Sequence, residues 1–202
     1  MQYLPNMAYF SCLLKYEEVH IEAQEHFVKQ TFRNRCQIMT SNGIDTLIVP
    51  VNHSGGKTLI RDLKIDHTQG WMKRHWGSIV AGYGKAPFFE YFGEDFNNIY
   101  QKKHLYLFDL NWDMLTLCLK LLRVKPTLSL TEVYQHGIKE GHYDALSVIH
   151  PKKEVWHNNL YQPVVYKQNF GTSFVPNLSV IDLLMCQGAA ASNILKQSIL
   201  VD

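Results

Sequence analysis

The sequence predicts an α/β fold in a single domain over residues 1–202: a mixed β-sheet, with a hairpin near residues 36–51, packed by several helices. Three observations lead there. Asn42-Gly43 lies between two β-prone runs and supplies the positive φ angles of a tight two-residue hairpin turn. Apolar residues recur at helical spacing over residues 69–84 and 105–123. Pro176-Asn-Leu-Ser179-Val-Ile-Asp182 has the form of a capping box that opens a helix.

Taken in order, Met1 to Pro5 reads as extended, and Asn6 caps a helix whose apolar positions are Tyr9, Phe10, Leu13 and Leu14. A short strand follows at 19–22. The second arm of the hairpin is apolar from Leu47 to Val51, which suits a central strand, with Pro50 where the ladder ends. Residues 59–66 read as a strand running into the cap-like Asp66-His67-Thr68. The helix over 69–84 puts Trp71, His75, Trp76, Ile79 and Tyr83 on one stripe, so His75 faces inward. A helix over 88–102 opens after Pro87, and one over 105–123 is apolar almost all round, as a buried spine should be. Short β-like runs at 128–134 and 164–166 precede the capped helix that Gly188 closes.

Composition narrows the function classes. At 202 residues the chain can bury most of the surface its unfolded form exposes. Its 46% hydrophobic residues argue against disorder, and a formal net charge of +2 argues against a nucleic-acid partner. Cys12, Cys36, Cys118 and Cys186 form no C-x-x-C pair, so buried free thiols of a reducing compartment are expected. No charged-then-apolar leader follows Met1, and Asp109, Asn111, Asp113 and Lys120 interrupt the longest apolar stretch. The expectation is a cytoplasmic protein without membrane insertion.

Two stretches carry more side-chain chemistry than packing requires. Lys29, Arg33, Asn34 and Arg35 gather donors with no carboxylate between residues 27 and 38. They form either a solvated charge run or a wall for a phosphate or carboxylate, with Arg35 as the bidentate partner. On the second stretch His75 is either a hydrogen-bonded core histidine or a catalytic base, with Trp71 and Tyr83 offering flat faces to a ring or sugar. Asp182 or a tyrosine could orient His75; Asp182 could equally serve only to cap its own helix. The expected site is one hollow walled by both stretches.

Two other motifs carry less. His53-Ser-Gly55-Gly56-Lys57-Thr58 is no phosphate-binding P-loop, because Val51 stands where a glycine is needed and a strand is expected to follow. His136, His142 and Asp144 can be drawn as a metal site, but they lie in a glycine-punctuated loop without ligand spacing, so no metal and no cofactor is assigned.

In order along the chain stand Tyr3-Leu-Pro5, Lys29 with Phe32-Arg33-Asn34-Arg35, Val49-Pro50-Val51, Ile65-Asp66, Trp71 with His75-Trp76, Tyr83 with Pro87-Phe88-Phe89, Phe108 with Asn111, and Pro176 to Leu184. Together they resemble the WbqC-like family of bacterial proteins, in its Bacteroidetes-type form, over nearly the whole chain. The resemblance implies a role in surface polysaccharide (O-antigen) gene clusters, where the suggested reaction attaches glycine or another acyl group to a nucleotide-linked amino sugar. Relatives usually begin with a further apolar strand, so this chain is expected either to lack that strand or to start late, and the resemblance implies an arginine at the place of Leu146.

The resulting expectation is an acyl or aminoacyl (glycyl) transferase with the sugar nucleotide as substrate and the acyl donor unidentified. Lys29, Asn34 and Arg35 would hold the phosphates, Trp71 and Tyr83 would stack, and His75 would take the amine proton. Asp182 is its candidate orienting acid. The alternative is a non-catalytic protein that holds the sugar nucleotide for glycan-biosynthesis enzymes.

Overall fold

Asn6 opens the first helix as its side chain demands: Oδ1 accepts from the Tyr9 amide at 2.9 Å and caps α1, Met7–Lys15. The computed structural model describes residues 1–53, 56–134, 141–146, 148–151 and 160–200. After α1 come β1 (Glu18–Ile21), β2 (Arg35–Thr40), β3 (Gly43–Ile48), α2 (Trp71–Tyr83), α3 (Phe89–Gln101), α4 (Leu107–Leu122), β4 (Thr127–Leu130), α5 (Val180–Gln187) and α6 (Ala191–Gln197). The α/β class stands, and its strands divide between two small sheets: β1 runs parallel to β4, and β2 pairs antiparallel with β3.

Several local expectations are corrected. The hairpin is present, but its turn is built differently, because only Gly43 takes a positive φ (99°) and Thr40 pairs directly with it. That single left-handed position is the one where a Cβ would strain the chain. The 47–51 arm is not central in a sheet, since β3 has β2 as its only strand partner among the described residues. Residues 60–62 form a 3-10 turn rather than a strand, with isolated bridges from Val51 to Ile65 and Lys64 to Tyr106. Asp66 closes a turn onto Thr68, and Gly70, at φ 60°, starts α2 in its place. The 164–166 run forms no strand.

The two ends of the chain meet against β2. Ser179 caps α5, donates from Oγ to the Leu4 carbonyl at 2.8 Å, and donates its amide to the Gln37 carbonyl at 2.8 Å. One apolar cluster then runs from Met1 through the hairpin and α4 to Leu195. Within it α4 buries ten residues, including Asn111, in keeping with a spine apolar almost all round. The four cysteines are buried free thiols.

Helix α2 crosses the hairpin close to its backbone. A Cβ on Gly82 would lie 2.6 Å from the Met39 carbonyl oxygen, so only glycine allows that approach. Trp71, His75, Ile79 and Tyr83, spaced by four residues, form its buried stripe. Among the described residues no helix is long and apolar enough to cross a membrane.

Candidate functional site

His75 sits on that stripe with 1% of its surface exposed. Its Nε2 lies 3.1 Å from the Ile48 carbonyl, which can only accept, so Nε2 carries the proton. Nδ1 is therefore an acceptor, filled by the Tyr3 hydroxyl at 2.9 Å, and Tyr3 in turn accepts from Tyr100. Burial pushes the His75 pKa down to about 4, against a weaker upward pull from the Ile48 bond. The imidazole is thus neutral at pH 7 and fully engaged. Tyr3, which the sequence reading left out of the site, is the tyrosine that orients it.

Two turns further along α2, the Tyr83 hydroxyl accepts from the Met39 amide at 3.1 Å and donates to Asp182 at 3.0 Å. His75 thus takes a carbonyl from β3 and Tyr83 an amide from β2, latching the helix to both strands. Asp182 is wholly buried and also receives Tyr166 Oη at 2.6 Å and Gln168 Nε2 at 3.1 Å. Burial raises its pKa, with the three donors pulling the other way. The carboxylate makes no bond to the cap residue Ser179, which corrects the capping-box expectation, and its hydrogen-bond partners are Tyr83, Tyr166 and Gln168 rather than His75. Trp71 is 4% exposed and Tyr83 fully buried, so their faces are spent on packing.

The first stretch is divided too. Lys29 is exposed, whereas Asn34 is buried and donates from Nδ2 to the Val49 carbonyl at 2.9 Å. Arg33 forks onto Glu25, donating from Nε to Oε1 at 3.0 Å and from an Nη to the other oxygen. A carboxylate just upstream thus neutralises part of a run that its own segment leaves unpaired. Arg35 is half-buried opposite Ile48, with Nε lacking a partner. Arg35 and His75 therefore approach through Ile48, but neither lines the cleft described next.

That cleft, of about 820 Å³, lies between α1, β1 and the described residues Thr131, Tyr134, 141–146 and Ile149. Gln2, Glu22, Glu25 and Arg33 line it, together with Tyr16 and Tyr143, whose rings stack at 5.8 Å. His20 and His142 stack across another part of the wall, also at 5.8 Å. Burial lifts the Cys12 thiol in the same wall to about 11, so it is a thiol rather than a nucleophilic thiolate at pH 7. Leu146, the position where an arginine was expected, lines the cleft as well. Sequence reasoning missed this site, although the density of carboxylates from Glu17 to Glu25 is a signal for it. His136 of the metal trio, and Ser54 and Gly55 of the glycine loop, lie outside the described residues.

Fold and site together define an α/β protein with an acid-lined cleft beside its first helix. The chain belongs to the WbqC-like protein family, whose model matches residues 1–155 and 150–194. It is also similar to a Mycobacterium tuberculosis protein described as uncharacterized protein Rv1507c, at 27% identity over 96% of this chain and 94% of that relative. No solved structure matches it.

Proposed function

We propose that the protein acts on a nucleotide-linked amino sugar in surface polysaccharide (O-antigen) biosynthesis, and that the cleft holds the sugar. The observation that carries this reading is the cleft itself. Its volume of about 820 Å³ suits a small molecule, the Tyr16–Tyr143 pair offers an aromatic face, and the carboxylates of Glu17, Glu18 and Asp144 in its lining offer acceptors. The glycan setting is what the resemblance to the WbqC-like family implies.

The step would be acyl or aminoacyl (glycyl) transfer. The sugar nitrogen forms a bond to the donor carbonyl, the donor's leaving group departs with its electron pair, and the amine proton passes to a base. For His75 to be that base, Tyr3 must release Nδ1 and the substrate must enter the α2 stripe, and the orienting partner is Tyr3 rather than Asp182, whose bonds go to Tyr83, Tyr166 and Gln168. Lys29, Asn34 and Arg35 would then meet the phosphates, with Trp71 and Tyr83 against a ring. A second reading, a non-catalytic protein holding the sugar nucleotide for partner enzymes, is favoured by one observation: His75 and Asp182 have their hydrogen-bonding capacity taken up inside the fold. The test is incubation with a nucleotide-linked amino sugar and a panel of acyl and aminoacyl donors, read by mass spectrometry. An amide product establishes transfer. Binding without product across the panel establishes the holding role, and no binding at all removes both readings.

A further inference from the structure

We propose that the outer edge of β3, with the flank of α2 beside it, is a docking surface for a second copy of the chain. The two copies pair β3 antiparallel about a two-fold axis at Asp45, which joins their hairpins into one continuous sheet. None of the residues involved lines the cleft, so the surface stands apart from the ligand reading.

The open groups on this edge follow from the ladder. The Val49 amide donates to the Asn34 carbonyl at 2.8 Å, and the register puts Leu47 and Asp45 in the same phase, bonded toward β2. Ile44, Thr46 and Ile48 therefore turn their amides and carbonyls away from β2. The matching positions on the far edge of β2 are closed, since the Gln37 carbonyl accepts from Ser179 and the Met39 amide donates to Tyr83. On β3 closure begins only at Ile48. His75 holds the Ile48 carbonyl, the Pro50 carbonyl accepts from the Asp66 amide at 2.9 Å, and Val51 bridges to Ile65. What stays open among the described residues is a short window: the amides and carbonyls of Ile44 and Thr46, and the Ile48 amide. No proline or lysine blunts it.

This window is self-complementary. About an axis at Asp45, Ile44 of one copy faces Thr46 of the other, and each such pair exchanges two hydrogen bonds, so every open group at both positions is used. An axis at Thr46 would instead set the Ile44 amide against the carbonyl that His75 holds. Ile44, 51% exposed, meets Ile44 of the second copy diagonally across the Asp45 axis.

Helix α2 carries the rest of the surface. Ser78 Oγ donates to Asp45 Oδ2 at 3.0 Å, which sets the helix over this edge. Arg74, Ser78 and Ala81 share its flank, turned away from Trp76, which stacks on Phe89 of α3. The small residues Gly77, Ser78 and Ala81 leave room for α2 of the second copy alongside. Charge supplies the independent argument. The hydrogen-bond partner of Asp45 is the neutral Ser78 hydroxyl, and exposed Arg74 has no carboxylate partner among the described residues. The axis puts the two Asp45 carboxylates side by side with an Arg74 one helical turn away on each side. Each guanidinium then meets Asp45 of the other copy, which offsets the repulsion between the carboxylates.

The experiment is sedimentation equilibrium of the full chain, of Thr46→Pro, of Arg74→Glu, and of the double variant Arg74→Glu with Asp45→Arg. Proline at position 46 removes an amide that faces away from β2, so the hairpin ladder keeps its bonds. Expected is a dimer of the unaltered chain at about 100 µM, with a dissociation constant raised about 10- to 100-fold in each single variant and recovered in the double variant. A monomer at that concentration overturns the proposal and leaves the edge to a different protein. A dimer that either single variant leaves intact overturns it by placing the contact on another face, and weakening without recovery in the double variant overturns the pairing of Arg74 with Asp45 that fixes the axis. Should Thr46→Pro fail to fold, Arg74→Glu and the double variant, altered at the surface, carry the test alone.

Discussion

Replacing His75 with glutamine makes stability less dependent on pH. The unfolded chain protonates this imidazole near 6.5, the folded chain only near 4, so between those values the unfolded state binds more protons. Stability from the neutral ring is therefore complete above pH 6.5, declines as pH falls toward 4, and is gone below. At about 1.36 kcal/mol per pKa unit the full window is worth roughly 3 kcal/mol, of which about 2 kcal/mol is lost between pH 7 and pH 5. Urea unfolding of both proteins at the two pH values measures the difference in slope. His75→Gln should be less stable at pH 7, through imperfect bonds to Ile48 and Tyr3, yet lose about 2 kcal/mol less on acidification. The reasoning is refuted if both proteins lose the same stability, or if the ring titrates near 6.5 in the folded protein by NMR.

Three further substitutions or treatments have defined outcomes. Asp182→Ala leaves the Tyr83 and Tyr166 hydroxyls without their acceptor in the core, and should cost about 3 kcal/mol or more by urea denaturation, with Asp182→Asn costing less. Gly82→Ala drives a methyl into the Met39 carbonyl and should cost about 1–3 kcal/mol, seen as a lower urea midpoint at unchanged slope. Cys12 and Cys186, whose thiols burial lifts to about 11 and about 12, should react with a thiol reagent at pH 8 far more slowly in the native protein than in urea, where all four cysteines become available.

Local order was readable from local chemistry. The Asn6 cap, the Gly188 stop and the stripe from Trp71 to Tyr83 each depend on neighbours within two turns, and each appears where its spacing places it. The errors lie where distant contacts decide. Residues 60–62 have strand-like composition, but the backbone bridges from Lys64 to Tyr106 and from Ile65 to Leu105 hold this stretch against the start of α4 rather than in a sheet. Asp182 has the spacing of a capping acid, yet Tyr83, 99 residues away, takes up its carboxylate. The site shows the same division. The inward face of His75 follows from helical periodicity, but its partners Tyr3 and Ile48 come from other elements, and through them the ring ties α2 to β3 and to the start of the chain. The cleft is assembled from the chain's first residues, β1 and the segment beyond β4, which no periodicity in one sequence links.

Backbone hydrogen–deuterium exchange with and without UDP-glucosamine addresses the location of the site most directly. Binding in the cleft predicts slowed exchange around Gln2, from Ile21 to Glu25, at Thr131 and from Tyr143 to Leu146, with α2 unchanged. Slowed exchange confined to Arg35, Trp71 and their neighbours would contradict it and return the ligand to the face where His75 lies.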